Sequence, residues 1–442
     1  MSDVLTTDFK NASYWWDKAP PVPSGAPALD SSYDAAIVGS GFTGLRAALT
    51  LLRGGRSVVL LDSGDPGCGA SRSNAGFLGR VLKKSFAKLL ATHGAEHAVA
   101  VYRELDQAYQ TTLGVITEEK IDCHAERCGR FMGATSPAHY GELERELETM
   151  RRHLGFDYRM IPHSSQRDEM ATDVYCGGAV MPDLGALHPG LYHKGLLDAV
   201  LRAGGVVRGQ AEVKSIERPS GRHGFRVASK AGTVKARDVV IATNGYTPRH
   251  FSWHSRRVIP FTGYMAATEL LPEALLAKLL PQRRTVLDTN MNINFFRPAP
   301  DTPRLLFGGA TGSGMQDVTA IAARLHDILR RVLPDLADVR LSHVWTGLCA
   351  GTFDMMPHIG CQDGMWYGMG YNFAGVPMGS YFGLKIGQLI LGLPEGRSVF
   401  AKGAFPTLPL YTGNPWFVPY AMRYFDWHDR RTAAKKTAAA GH

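Results

Sequence analysis

The chain has 442 residues, of which 45% are hydrophobic and 20% charged, with 49 glycines and a formal net charge of +9. This balance excludes a disordered chain, and no apolar run approaches the roughly 18 residues of a membrane span. Basic residues are spread along the sequence rather than gathered in a stripe, which argues against a nucleic-acid partner.

Met1–Lys10 lacks the basic start and apolar core of a secretory leader, and the arm that follows is rich in proline (Pro20, Pro21, Pro23, Pro27). Residues 1–32 are expected to lie over the surface, with Tyr14, Trp15 and Trp16 as an anchoring patch. Cys68, Cys123, Cys128, Cys176, Cys349 and Cys361 follow no disulfide or zinc spacing, so reduced thiols in a cytoplasmic enzyme are expected.

The densest signal begins at Ala35–Val38, a short apolar strand that runs into Gly39-Ser40-Gly41-Phe42-Thr43-Gly44. Leu45, Ala48, Leu49 and Leu52 then repeat at helical spacing, Gly54-Gly55 stops the helix, and Val58–Leu61 is a second buried strand ending at Asp62. Glycines at these positions make a tight turn, admit a diphosphate to the backbone and let helix and strand pack closely. Helix amides then face the phosphates, and an acid after the second strand suits ribose hydroxyls. The unit predicts a dinucleotide but does not separate NAD from FAD. Gly67-Cys68-Gly69-Ala70-Ser71-Arg72-Ser73-Asn74-Ala75-Gly76 goes further, since small residues and donors at this density suit a backbone lying along a diphosphate and a flat ring.

In that segment the sequence resembles the D-amino-acid oxidase / glycine oxidase superfamily of FAD-dependent amine oxidoreductases. Asp238–Tyr246, Trp345-Thr346-Gly347 with Thr352, Asp354 and Pro357, Gly370–Val376 and a closing helix at Gly379–Leu391 are similar to later motifs of the superfamily. The likeness is greatest to its γ-glutamylputrescine oxidase-like branch, through Ser13-Tyr14-Trp15-Trp16, Leu287–Gly309 and the lack of one arginine. The resemblance implies an α/β and α+β fold: a Rossmann-type FAD-binding domain and a second, mainly antiparallel-sheet substrate domain. It assigns 33–95, 185–258 and 343–395 to the first and 96–184 with 259–342 to the second, leaving 1–32 as an arm and 396–442 as an extension.

It further implies FAD contacts from Gly39, Gly41, Phe42, Thr43 and Gly44, from Asp62 and Ser63, and from Ala70, Ser71, Arg72, Asn74, Ala75 and Gly76. Val213, Ala242, Thr243, Asn244 and Gly347 follow, then Gly370, Asn372, Phe373, Gly375 and Val376 in the last loop. Around the substrate the resemblance points to Tyr264, Asn294, Phe296, Arg297, Trp345 and Tyr371, with Tyr264, Arg297, Trp345 and Tyr371 as the catalytic set. Arg297 stands in an otherwise apolar strand, where a guanidinium needs a carboxylate, phosphate or flavin-oxygen partner.

The superfamily pattern W-x-G-x-R-P-x-T-x-D-x-x-P keeps its frame at Trp345–Pro357, but Cys349 replaces the arginine and Ala350 the proline. Because that arginine grips an α-carboxylate, the expected substrate is an amine without one beside the oxidised carbon. Ser71–Gly76 holds no histidine, and Cys349 lies two positions past the attachment cysteine of covalent members, so non-covalent FAD is expected. A small-molecule amine and dioxygen or another electron acceptor are the implied partners. A dehydrogenase on the same fold or a tRNA-modifying flavoprotein are the alternatives; an NAD enzyme leaves Gly67–Gly76 and Gly368–Val376 without a use.

Elsewhere, helices are expected at Gly141–His153 and Leu191–Leu201, and a hairpin at Asn292–Arg297 and Leu305–Gly309. His93-Gly94-Ala95-Glu96-His97 matches a zinc-peptidase spacing but lacks a further ligand, so a solvated helix face and no metal are expected. The Ala-rich tail with Arg430, Arg431, Lys435 and Lys436 is expected to fray.

Overall fold

The apolar runs that open the chain are unbroken because both faces of their sheet are covered. In the computed structural model, which describes residues 4–23, 27–80, 82–219 and 223–440 (side chains through 429 and at 431), Ser32–Val38 pairs in parallel with Val58–Leu61, and that strand with Val206–Arg208. On its other side Ser32–Val38 pairs with Gly232–Ile241, which carries Met365–Met369 beside its end. Phe225–Ser229 and Val213–Glu217 extend the sheet in antiparallel fashion. Helices Phe42–Arg53, Pro189–Arg202 and Gly375–Ile390 cover one face with Leu45, Leu49, Leu196, Leu197 and Phe382. Phe405, Val213 and Val239 belong to the core on the other face.

A second sheet has nine strands. From edge to edge they are Leu5–Lys10, Leu341–Gly351, Ile259–Thr268, Leu305–Gly309, Phe295–Pro298, Thr285–Asp288, Arg130–Gly133, Gly178–Met181 and Arg159–Ile161. Side chains alternate across it. Tyr264, Ala266, Phe296 and Phe307 share a core with Leu325 and Leu329 of helix Val318–Val332, while Met265, Ala267, Leu306 and Trp345 pack with Tyr14 and Trp15.

Several elements differ from the sequence expectation. The arm is not a surface strap: Leu5–Lys10 pairs in parallel with Leu341–Gly351 at the sheet edge, and Tyr14 and Trp15 are buried. That same strand keeps residues 343–351 in the antiparallel sheet, beyond the expected boundary. Helix Phe86–Glu118, expected largely in the substrate domain, buries Leu105 and Ala108 in the core of the parallel sheet. The hairpin starts at Phe295 rather than Asn292, because Asn294 donates its side-chain amide to Asp288 (2.7 Å) and Asn292 to Asp426 (3.0 Å). The closing helix begins at Gly375, since Pro377 falls in its first turn, where a missing N–H costs nothing. The tail does not fray at once: a helix spans Val418–Ala440.

Candidate active site

The cradle is built by the turn between the first strand and helix. Gly39 is left-handed (φ 103°), and Gly41 caps the helix without a side chain to occupy its amides. A Cβ on Gly44 would lie 1.9 Å from the Gly39 carbonyl oxygen, so helix and turn touch backbone to backbone. The Ser71 hydroxyl accepts from the Phe42 amide at 3.1 Å, which brings the Gly67–Gly76 segment to the helix N-terminus. Asp62 is held at the strand end by the Ser40 amide (2.8 Å) and hydroxyl (2.6 Å) and the Gly64 amide (3.1 Å). Phe42 packs its ring on Tyr192 at 5.0 Å between centroids. Ala242 donates its amide to the Val38 carbonyl, and the Thr243 hydroxyl pairs with Thr247. Val213 is buried and its carbonyl meets His250 Nε2 at 3.1 Å.

The segment from Arg72 to Gly76 is fixed from outside. Five consecutive carbonyls each accept a bond from another element: Arg72 from the Ser13 hydroxyl (2.9 Å), Ser73 from Trp345 Nε1 (3.0 Å), Asn74 from Trp15 Nε1 (2.8 Å), and Ala75 and Gly76 from Arg297 Nη1 (3.1 and 3.4 Å). Inside the loop, Asn74 donates to the Ala70 and Ser71 carbonyls and accepts from the Gly76 amide. No carbonyl of this run can turn without breaking a bond to the arm or the large sheet.

Arg72 is fully buried and turned toward the arm, donating to the carbonyls of Ala19 (3.0 Å) and Pro20. Its Nε donates to His193 Nδ1 (2.9 Å), and His193 Nε2 donates to the Ser40 carbonyl (2.7 Å). These two bonds require neutral His193 with its proton on Nε2. Burial, with Arg72 beside it, pushes the His193 pKa down to about 3. In the unfolded chain the imidazole takes a proton near pH 6.5. The unfolded state therefore binds more protons between pH 6.5 and about 3, and stability is expected to fall as pH drops through that window. Melts across it should show a shallower acid slope in His193→Gln; an unchanged slope would contradict the assignment.

The last loop closes over the cradle. The Tyr371 hydroxyl donates to the Gly368 carbonyl (2.8 Å) and accepts from Thr43 (2.6 Å). Asn372 donates to the Gly370 carbonyl (2.6 Å) and Thr352 hydroxyl (3.1 Å), and Asn244 accepts from the Gly370 amide (2.9 Å). Phe373, left-handed (φ 75°) and 60% exposed, stands just before Gly375 and Val376 of the closing helix. Its ring meets Phe261 at 5.2 Å.

Of the residues expected around the substrate, four side chains make other bonds. Tyr264 donates to the Met315 carbonyl (2.9 Å) from the far face of the sheet, where Phe296 also lies. Trp345 is spent on Ser73, and Asn294 on Asp288. Arg297, expected as the partner of an anionic group, gives Nη1 to the Ala75, Gly76 and Leu187 (2.8 Å) carbonyls and Nε to the Pro298 carbonyl, so these two nitrogens serve the backbone. Tyr371 bridges the cofactor loops. The strand face toward Ser73 instead carries Gly347 and Cys349, opposite Gly263 and Phe261. Burial lifts the Cys349 pKa to about 11, so it is a neutral thiol.

Sequence reasoning missed His193, Phe261 and the Phe77–Phe295 pair (5.9 Å). His193 was signalled by its place on the apolar stripe with Leu197 and Val200. His93 and His97 stack at 5.0 Å, and no His/Cys/Asp/Glu group suited to a metal occurs among the described residues.

These residues fit FAD. The helix N-terminus, whose cap Gly41 has no side chain, and the glycine turn suit an anion, and the buried Arg72 keeps its Nη2 without a hydrogen-bond partner among the described residues. A diphosphate cradle on a parallel sheet, faced by a large mixed sheet across a strapped loop, is the architecture of a dinucleotide-binding protein. The chain belongs to the FAD dependent oxidoreductase family, whose model matches residues 34–389. It is 28% identical over 402 residues to gamma-glutamylputrescine oxidoreductase of Escherichia coli, covering 90% of this chain and 93% of that protein. It is 29% identical over 417 residues to the probable oxidoreductase OrdL of Rhizobium meliloti, covering 89% and 92%. Among solved structures it is similar to glycine oxidase from Geobacillus kaustophilus, with a TM-score of 0.71, 22% identity and coverage of 86% of this chain and 99% of that one.

Proposed function

We propose that this FAD-dependent amine oxidoreductase takes a primary or secondary amine with no free carboxylate beside the reacting carbon, of γ-glutamyl amine, N-alkyl amine or aminophosphonate type. The observation that carries the reading is Cys349. A neutral thiol occupies the frame position of the missing arginine, opposite Phe261, and the nearest expected substitute, Arg297, turns its Nε and Nη1 to backbone carbonyls. A carboxylate docked there would be buried without a cation, at a cost of several kcal/mol (~3 or more). The curated relative named for γ-glutamylputrescine supports the same class.

When bound, FAD supplies the two-electron acceptor for the C–H bond beside the amine nitrogen. This chain's part is to hold the neutral amine in place and keep water out. Phe261 and Phe373 give apolar walls, and Gly263 and Gly347 leave room between strand and loop. The resulting imine passes to water and hydrolyses to a carbonyl. Dioxygen or another acceptor completes the cycle, a small-molecule amine is the partner rather than a nucleic acid, and free cysteines suit the cytoplasm.

The test is kcat/KM for a D-amino acid against its decarboxylated amine. The amine is expected to win by at least about tenfold, or 1.4 kcal/mol; a tenfold preference for the amino acid would overturn the reading of Cys349. Acid precipitation of the purified protein should leave yellow colour in the supernatant, because no histidine lies in Ser71–Gly76 and Cys349 is two positions from the attachment site; a yellow pellet would show a covalent bond.

A further inference from the structure

The C-terminal segment carries a surface that amine oxidation does not use. Leu408, Leu410, Trp416, Tyr420, Tyr424 and Trp427 are six of the fourteen large apolar side chains exposed among the described residues. Leu410 is 95% exposed and holds a left-handed backbone (φ 64°), a conformation unfavourable for leucine that brings it no internal contact. Isolated exposed apolar residues need no explanation, but a run of this kind does.

Helix Val418–Ala440 docks on the body by its other side. Val418 and Met422 lie against Gly312. Asp426 accepts from Asn292 Nδ2 (3.0 Å) and Arg324 Nη2 (3.2 Å), and Asp429 accepts from the Met291 and Asn292 amides (3.0 and 3.1 Å). These are the only acids from Trp416 to the C-terminus, and both are turned inward. The outward side keeps aromatic rings and cations: Arg423 lies over Tyr420 and Arg431 over Trp427. The sequence adds Arg430, Lys435 and Lys436.

We infer that this helix rests on an anionic lipid bilayer, with Trp416, Tyr420, Tyr424 and Trp427 at headgroup depth and the arginines against lipid phosphates. Rings with one polar tip on a helix of cations are the chemistry of an interfacial helix. A cytoplasmic leaflet supplies the opposite charge. No helix among the described residues is long and apolar enough to cross a membrane, so the contact is peripheral. A second copy fits less well, because two such faces would oppose Arg423 and Arg431 to each other with no outward acid between them.

The experiment sediments the FAD-loaded full chain with phosphatidylcholine vesicles, with and without phosphatidylglycerol. Binding is expected to rise by roughly tenfold with phosphatidylglycerol and to fall with added salt. The combined variant Trp416→Ser, Tyr420→Ser, Tyr424→Ser, Trp427→Ser should lose it while keeping bound flavin and amine oxidation. Should that variant misfold, Arg423→Gln with Arg431→Gln tests the same face and should lose the anionic preference. Failure to bind, or equal binding to both vesicles, would overturn the inference. So would a dimer that the aromatic variant dissociates, or tighter binding to a single-stranded oligonucleotide than to vesicles.

Discussion

Arg297→Met is expected to release flavin and destabilise the protein by about 3–5 kcal/mol, because it leaves several buried carbonyls without a donor. The guanidinium serves Ala75, Gly76, Leu187 and Pro298 from full burial, and it forms no direct ion pair among the described residues. Burial lowers its pKa to about 10, still well above neutrality, so the charge is kept. Lysine should not rescue the variant, since one ammonium cannot serve carbonyls arranged around a planar fork. Flavin content and thermal melting are the readouts. Amines with and without a distal carboxylate should lose activity together, in proportion to lost flavin. A selective rise in KM for the anionic amine, with flavin retained, would restore Arg297 as a substrate anchor.

Gly44→Ala should have an effect of similar size by a different route. The added methyl would stand 1.9 Å from the Gly39 carbonyl oxygen and 3.3 Å from Ile37 Cγ2, and backbone cannot step aside as a side chain can. Helix Phe42–Arg53 must then lift from the sheet, costing about 3 kcal/mol or more and opening the cradle. Gly114→Ala is the control. It lies within helix Phe86–Glu118 with nothing within 4 Å of the added methyl, so a gain of roughly 0.5–1 kcal/mol is expected. Equal flavin retention in both variants would disprove the close-approach argument.

The cofactor half was legible in the sequence because its demands are local. A glycine turn, a helix stripe and an acid at a strand end lie within one stretch, and each is imposed by backbone geometry. The substrate half was not, because its demands are long-range. Arg297 reads as an anchor until Ala75 and Leu187 are brought to it, and Tyr264 reads as a site residue until strand alternation turns it to the far face. Trp15 reads as a surface aromatic until the strand Leu5–Lys10 delivers it beneath Asn74. Cys349 is the exception, since a kept frame made its substitution visible in one dimension.

The five tethered carbonyls also set an order of events during synthesis. Their donors come from Ser13 and Trp15 near the start of the chain and from Arg297 and Trp345 far beyond the loop. A ribosome that has made the whole glycine cradle has not yet made the groups that shape the segment above it. The five carbonyls therefore gain their full set of donors only after the strand Leu341–Gly351 has emerged, so the segment they belong to is shaped late, long after its own residues are made.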